Sequence, residues 1–419
     1  MKKAILFFIS SLFLVNTFAQ STNSANDWKK DLEFLNTKVT ELHPKLKLSN
    51  VLNTWQSKVD SIHEMIPQLN ENEIKVEFSK LLTFLNDGHT RLFGDKLTKK
   101  WFPVRIEKFA DGFYVTSVDT KYADLYGKKV VEIGKYKSEI TFELIKKISC
   151  SDNTFSHTYF APLFISMNSM LHGLGIIINE NILNLKIEET NGLSRDIEIN
   201  AIDFDSDPVY YWYWLHNGAP TTNNISIYNS IDKLPLYHTD ILSPFWYKYL
   251  SNEKTVYLNV NQCVKEFEIF TDSLWKFIDN NEVDKLIIDL RNNFGGTNSY
   301  LMPFVHQIIN HENINKKENL YVLISPKTFS AALHFALWIE DHCNPTFVGM
   351  PTAAGPNHFA EPELMELPNS KIFIWISKYS WQITVPWDER KWIEPDIKID
   401  IQASDYFSGH DPVLEKILR

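Results

Sequence analysis

The stretch VDKLIIDLRNNFGGTNSYLMPFVHQIINHENINKKENLYVLISPKTFSAA, residues 283–332, decides how the chain is read. Two apolar runs, 285–290 and 320–324, have the length and composition of buried strands, and each is followed by a turn and then a helical pattern. That alternation predicts parallel strands joined by crossover helices, which puts both turns on the same edge of one sheet. The first turn carries Gly295-Gly296, and the second delivers Ser330 to the start of an Ala-rich helix. A serine at that junction stands where the helix dipole favours developing negative charge, and glycines let backbone N–H groups approach a ligand. Two readings are open at each turn. Ser330 is either a nucleophile or a helix cap, and the glycines, with Ala331, form either an oxyanion hole or a tight structural turn.

Outward from this stretch, strand-and-helix texture begins at TVYLNVNQ and EFEIFTDSLWKFIDNN and ends in a short strand at 345–348. In the tail, KIFIWISKYS and WQITVPW are expected to pair, with IKIDI as a further strand. Residues 26–85 read mostly as helix and stop at Asp87-Gly88. From 101 the chain turns to short β-like runs with one helix. A helical stretch over 158–174 then leads to a hairpin of ILNLKIEE and LSRDIEI around Asn191-Gly192. The aromatic runs YYWYWLHN and PFWYKYL read as a connecting segment packed on the core. The expected organisation is a signal peptide (1–19), a helical cap (20–100), a β-rich module with its hairpin (101–205), the aromatic connection (206–254) and an α/β core (255–419).

Composition narrows the function. A 419-residue chain with 44% hydrophobic residues can bury two or three cores, and a net charge of −10 argues against a nucleic-acid partner. The opening MKKAILFFISSLFLVNTFAQ reads as a secretory signal, with an uncleaved anchor as the alternative, so the mature protein is expected to be periplasmic or secreted. No later run is long and apolar enough to span a bilayer. Cys150, Cys263 and Cys343 fit no zinc spacing, allow at most one internal disulfide, and read as buried free thiols.

The turns DLRNNFGG, KTFSAA and NDGHT, the segments VGMPT and WIEPDIKI, and the terminal GHDPVLEKIL together resemble the C-terminal-processing (tail-specific) serine-peptidase family, which includes the tricorn-protease core. The resemblance implies a crotonase-like α/β catalytic core with Ser330 as nucleophile, beneath an N-terminal helical cap. It also implies a small β-rich, PDZ-like module at 103–148, where LYGKKVVEIG has Gly134 one residue early for the PDZ pattern. The processing branch uses a lysine base. Here PTAAGPNHF puts Pro356 in its place, and no lysine occurs from 331 to 370. The tricorn-like branch uses a histidine and a glutamate, which fall on His89 and Glu389, although Trp392 stands where that pattern has glycine. An imidazole takes the serine proton and a carboxylate behind it fixes the tautomer, with Thr90 or Asp87 as further orienting groups. His334 and His358 compete as bases, and His358 with Asn357 are candidates for touching substrate. The oxyanion donors implied are Gly295, Gly296 and Ala331. The reaction needs no metal or organic cofactor, and its substrate is a polypeptide. Two rivals stand beside this reading, a catalytically silent binding protein of the same fold and an esterase-type acyl hydrolase.

Overall fold

The computed structural model describes residues 23–203 and 223–419. The proposed signal peptide and the YYWYWLHN run lie outside the described residues, and no described helix is long and apolar enough to cross a membrane.

Three amphipathic helices open the described chain: α1 (Ala25–Leu42), α2 (Ser49–Met65) and α3 (Glu71–Thr83). Capping boxes at Ser24 and Asn70 satisfy the first N–H groups of α1 and α3. Their apolar faces, including Leu32, Leu35, Trp55 and Phe78, are buried in one cluster. Each such side chain contributes about 1.5–3 kcal/mol. After α3 the chain turns through Asn86–Thr90 into a three-residue strand, β1 (Arg91–Phe93).

A seven-stranded antiparallel sheet follows, built from β2 (Val104–Phe109), β3 (Gly112–Asp119), β4 (Lys129–Ile133), β5 (Ile182–Glu188), β6 (Ser194–Asn200) and two short strands. Helices α4 (Ser138–Lys146) and α5 (Ser156–Ser166) accompany it. The hairpin foreseen around Asn191-Gly192 is therefore part of the same sheet as the β module.

The third unit is a six-stranded sheet in the order β7 (Phe245–Leu250), β8 (Thr255–Val260), β9 (Lys285–Asp289), β10 (Leu320–Ile324), β11 (Thr346–Gly349) and β14 (Ile397–Lys398). All neighbours are parallel except β7 and β8. PFWYKYL is thus an edge strand rather than a connection. Its alternation sends Phe245, Tyr247 and Tyr249 to one face and Trp246 and Leu250 to the other. The crossover helices α6 (Phe267–Asp279), α7 (Met302–Asn310) and α8 (Ala331–His342) pack on the face formed by Leu258, Ile288 and Val322. Tyr257, Ile287 and Leu323 face the other way, onto the C-terminal helix α9 (Pro412–Leu418).

Between β11 and β14 the chain makes a hairpin, β12 (Asn357–Glu366) with β13 (Phe373–Gln382). This corrects the pairing expected for the tail. Trp381 and Gln382 simply continue the first run, whose partner is NHFAEPELME. The hairpin reaches back to the helical cap: β13 pairs with β1, and Asp31 of α1 accepts the backbone N–H groups of Asn369 and Ser370 at 2.8 Å each. Ile374 and Ile376 join the apolar cluster of the cap. The turn after α3 is carried to the core by this hairpin.

Arg291, in the first glycine-bearing turn, fixes the strand ends from below. Its guanidinium donates to Asp289 at 2.6 Å and, bidentately, to Asp411 at 2.9 and 2.8 Å, all three residues being buried. The side chain thus ties the turn after β9 to the N-cap of α9. Arg291→Met is expected to destabilise the fold by about 3–5 kcal/mol, because two buried carboxylates lose their cation. Urea unfolding measures it, and a loss below ~1 kcal/mol would contradict the account.

Candidate active site

The turn that carries Ser330 is pinned to the neighbouring strand. Ser325 Oγ donates to the Arg291 carbonyl at 2.7 Å, Thr328 Oγ1 donates to the Leu290 carbonyl at 2.9 Å, and Phe329 N–H donates to the Asn293 carbonyl at 3.2 Å. Ser330 follows with φ 55° and ψ −127° at the N-terminus of α8. A non-glycine residue held there costs about 1–3 kcal/mol, and such strain persists where the surroundings over-determine it. The side chain makes no capping bond to the helix. Ser330 thus occupies the N-cap position without using its hydroxyl as a cap.

Gly295 lies directly against this residue. At φ +108° its Cα faces the nucleophile turn so closely that an added Cβ would stand 2.6 Å from Ser330 Cβ and 2.8 Å from Ala331 N. Its own N–H is already spent on Asn293 Oδ1 at 2.8 Å. The donors left are the N–H groups of Gly296 and Ala331, which make no hydrogen bond among the described residues. Of the three amides expected at an oxyanion hole, Gly295 is therefore the one already taken, and it contributes close approach instead.

Three buried histidines gather here. His89 stacks on Phe329, the residue before Ser330, with ring centroids 4.3 Å apart, and lies 6.0 Å from the His358 ring. His334, one turn along α8, is joined to His358 by a 3.3 Å contact between their Nε2 atoms. A single tautomer set satisfies the rest of that chain. Asn298 Nδ2 donates to His334 Nδ1 at 2.8 Å, His334 Nε2–H donates to His358 Nε2, and His358 Nδ1–H donates to the Gly355 carbonyl at 3.1 Å. Neither ring then keeps a lone pair for a serine proton. His89 differs, since both of its ring nitrogens are buried without a hydrogen-bond partner.

The carboxylate beside His89 is Asp87. Its Oδ1 is 3.8 Å from His89 Nδ1 and accepts the His89 backbone N–H at 2.9 Å, while its Oδ2 is 3.1 Å from His43 Nε2. Lys45 N–H donates to His43 Nδ1 at 3.2 Å, so His43 carries its proton on Nε2 and donates it to Asp87. Although Asp87 is buried, the His43 hydrogen bond and the neighbouring histidines hold its pKa down at about 2. A second carboxyl, that of the half-buried Asp152, accepts the Gly88 N–H at 3.0 Å, and desolvation together with the Asp87 charge pushes its pKa up. The two carboxyls therefore shift in opposite directions, Asp87 down and Asp152 up. Burial lowers the His89 pKa to about 3, against the opposing pull of Asp87.

Residues 254–399 match the sequence model of peptidase family S41. Mature CPAF complexed with lactacystin has the same fold at a TM-score of 0.64 and 16% identity, with 94% of this chain and 98% of that chain covered. Mature CPAF alone gives 0.63 and 15%, covering 94% and 96%. No curated protein sequence matches the chain. The S41 assignment bears out the resemblance drawn from the motifs and supports a serine-type peptidase. The family match includes both glycine and nucleophile turns, while His89 and Asp87 lie upstream of it.

The other residues expected at the site from the sequence are placed as follows. Glu389 is exposed, makes no ion pair with His89, and is not among the charges that act on that ring. In its loop the adjacent Asp388 is the half-buried acid, held by Arg390 at 2.9 Å and Thr384 at 3.0 Å. Asn357 spends its amide N–H groups on the Val385 and Asp388 carbonyls at 3.1 Å each, and His358 is committed as described. Thr90 Oγ1 accepts the Ser377 N–H at 2.9 Å and so anchors the hairpin. The three cysteines are free, with Cys343 only half-buried. Among the described residues no cluster of three or more His, Cys, Asp or Glu side chains is placed to hold a metal. His43, Asp152 and Asn298 escaped the sequence reading. The only local signal for any of them was the His-Pro that ends α1.

The buried imidazoles make stability pH-dependent. Burial lowers His89 and His334 to about 3 each. Between about pH 3 and 6.5 the unfolded chain binds protons that the folded chain refuses, so stability is complete above about 6.5 and lost as the pH falls. The Tm is expected to be flat from about pH 8 to 6.5 and to decline below it. A Tm that rises on acidification to pH 5 would contradict the neutral, buried rings.

Proposed function

We propose that the chain is an extracytoplasmic serine peptidase in which Ser330 forms the acyl-enzyme, His89 is the base and Asp87 orients it. Ser330 Oγ attacks the scissile carbonyl carbon as its proton passes to His89. The carbonyl oxygen, now negative, accepts the N–H groups of Gly296 and Ala331 at the start of α8. His89 returns the proton to the leaving amine, and water then repeats the sequence on the ester. Asp87 is anionic and stabilises the imidazolium, while His43 fixes the carboxylate. The six-stranded sheet with α6–α8 is read as the crotonase-like core, and the seven-stranded sheet as occupying the PDZ position. The opening MKKAILFF segment is read as the export signal.

One observation carries the assignment. Of the three histidines around the nucleophile turn, only His89 has neither ring nitrogen in the chain of side-chain hydrogen bonds, the Asp87 carboxylate and the Phe359 backbone being the groups that act on it, and it stacks on the residue next to Ser330. Neither the silent-binder nor the esterase alternative has an observation in its favour. The test is acylation by a fluorophosphonate probe with the adduct mapped by mass spectrometry. The expected adduct is on Ser330, and it is lost in His89→Ala. An adduct on another residue, or none on the folded protein, would end this reading.

A further inference from the structure

Two of the three histidines beside the nucleophile turn face each other nitrogen to nitrogen. His334 stands on α8, its backbone N–H bonded to the Ser330 carbonyl at 3.1 Å, and His358 stands on β12. Their Nε2 atoms are 3.3 Å apart and their ring centroids 5.1 Å apart. A straight N–H···N bond of that length would hold the centroids about 5.6 Å apart, so the two rings are bent towards a common point. The bend matches a shared ion. Zinc–imidazole bonds are about 2.0–2.1 Å long, and two of them at a tetrahedral angle put the nitrogens about 3.3 Å and the centroids about 5.2 Å apart.

The outer side of each ring suits the same ligand. A metal-bound imidazole donates its other N–H to a fixed acceptor. His358 Nδ1 already faces the Gly355 carbonyl at 3.1 Å. His334 Nδ1 faces the Asn298 side-chain amide at 2.8 Å, and a half-turn of that amide presents Oδ1 in place of Nδ2. Both Nε2 lone pairs then converge with no proton between them. The two rings are buried and are carried by a helix and a strand, so their positions are set before any ion arrives. Room for the remaining ligands lies on the His358 side, where a cavity of about 220 Å³ is bordered by Gly355, His358 and Asp152. A water occupies about 30 Å³, so the cavity can complete the ion's shell with solvent. An imidazole pair completed by water suits a zinc-class transition metal rather than Mg²⁺ or Ca²⁺, which take oxygen ligands.

We propose that His334 and His358 form a binding site for a divalent transition metal of the zinc class, and that the bound ion reversibly silences the peptidase. The ion stands next to His89, whose ring lies 6.0 Å from that of His358. A divalent cation there repels the imidazolium that His89 must become as it takes the Ser330 proton. The silencing rests on the peptidase reading, whereas the binding site stands on the geometry of the pair alone.

The experiment titrates Zn²⁺ calorimetrically into the full chain, with Mg²⁺ as the comparison. Zinc is expected to bind and Mg²⁺ is not, and His334→Gln and His358→Gln are each expected to weaken zinc binding at least about tenfold. His410→Gln is the surface control, since His410 lies between Asp405 and Glu415. No zinc binding by the wild type, binding that survives both variants, or a loss confined to His410→Gln would overturn the site. Should the His334 and His358 variants fail to fold, X-ray absorption of the zinc-loaded wild type decides, with two imidazoles expected around the ion and fewer than two overturning the pair. Fluorophosphonate labelling is followed on the same protein. Zinc is expected to slow it at least about tenfold and EDTA to restore it, whereas undiminished labelling of the zinc-loaded protein would overturn the silencing. A wild type that is not labelled even without zinc removes the peptidase reading and leaves the binding test standing.

Discussion

Gly295→Ala is expected to lower fluorophosphonate labelling and peptide hydrolysis at least about 10³-fold while the fold survives. Two costs combine. Alanine at φ +108° is strained, and the new methyl would meet Ser330 Cβ at 2.6 Å and Ala331 N at 2.8 Å. Neither neighbour is the loose end of a flexible side chain. One carries the nucleophile, and the other is a proposed oxyanion donor, so relief of the clash must displace one of them. Misplacement by about 1 Å costs roughly 10²-fold, and loss of one oxyanion donor costs about 10²–10³-fold. Gly192→Ala is the matching control, because it has φ +79° in the β5–β6 hairpin and nothing within 4 Å of its added Cβ. It carries the same kind of backbone strain without the contact. Equal losses in both variants would mean that strain, not proximity to Ser330, limits the reaction.

The contrast between these glycines shows what the sequence could reveal. That residues 283–332 form strand, turn, helix, strand, turn and helix was legible, since fully buried parallel strands read as short apolar runs and the turns follow from local chemistry. Which amide stays free was not. It depends on the side chain of Asn293 reaching Gly295 N–H, a choice that no spacing encodes. The tail pairing failed for a related reason. NHFAEPELME contains Pro362 and three glutamates and lacks a strand's apolar alternation, yet β13 supplies the register and the cap supplies the burial. PFWYKYL did carry a period of two. Its aromatic content hid the alternation, because both faces of that edge strand are covered. Glu389 was carried by a motif whose surrounding loop turns Asp388 inward instead. Asp87 was visible two residues before His89, but what makes it an orienting group is His43, 44 positions earlier in the chain. Tertiary contacts of that range leave no periodic trace.

Asp87→Asn is expected to reduce kcat/KM roughly 10³- to 10⁴-fold. The resting His89 is a reluctant base, since burial takes its pKa to about 3, and the Asp87 charge is the main favourable influence on its protonated form. An asparagine keeps the volume, but its single carbonyl oxygen can replace only one of the two Asp87 oxygens that accept from His43 Nε2–H and the His89 backbone N–H, so the charge and one hydrogen bond are lost together. The imidazolium formed as Ser330 attacks then lacks its counter-ion in a low-dielectric site. The pH profile separates this from a structural role. In the wild type His89 stays neutral well below the ordinary imidazole value of about 6.5, so kcat/KM is expected to be level from about pH 8 down to 5. Removing the anion lowers the His89 pKa further, which moves any acid limb to lower pH and depresses the plateau as well. A merely structural Asp87 would give a lower Tm with an unmoved limb. Glu389→Gln supplies the discriminating comparison: were Glu389 the acid behind the base, it would show the large loss and Asp87→Asn would not. With Glu389 exposed and Asp87 buried 3.8 Å from His89 Nδ1, the loss is expected at Asp87.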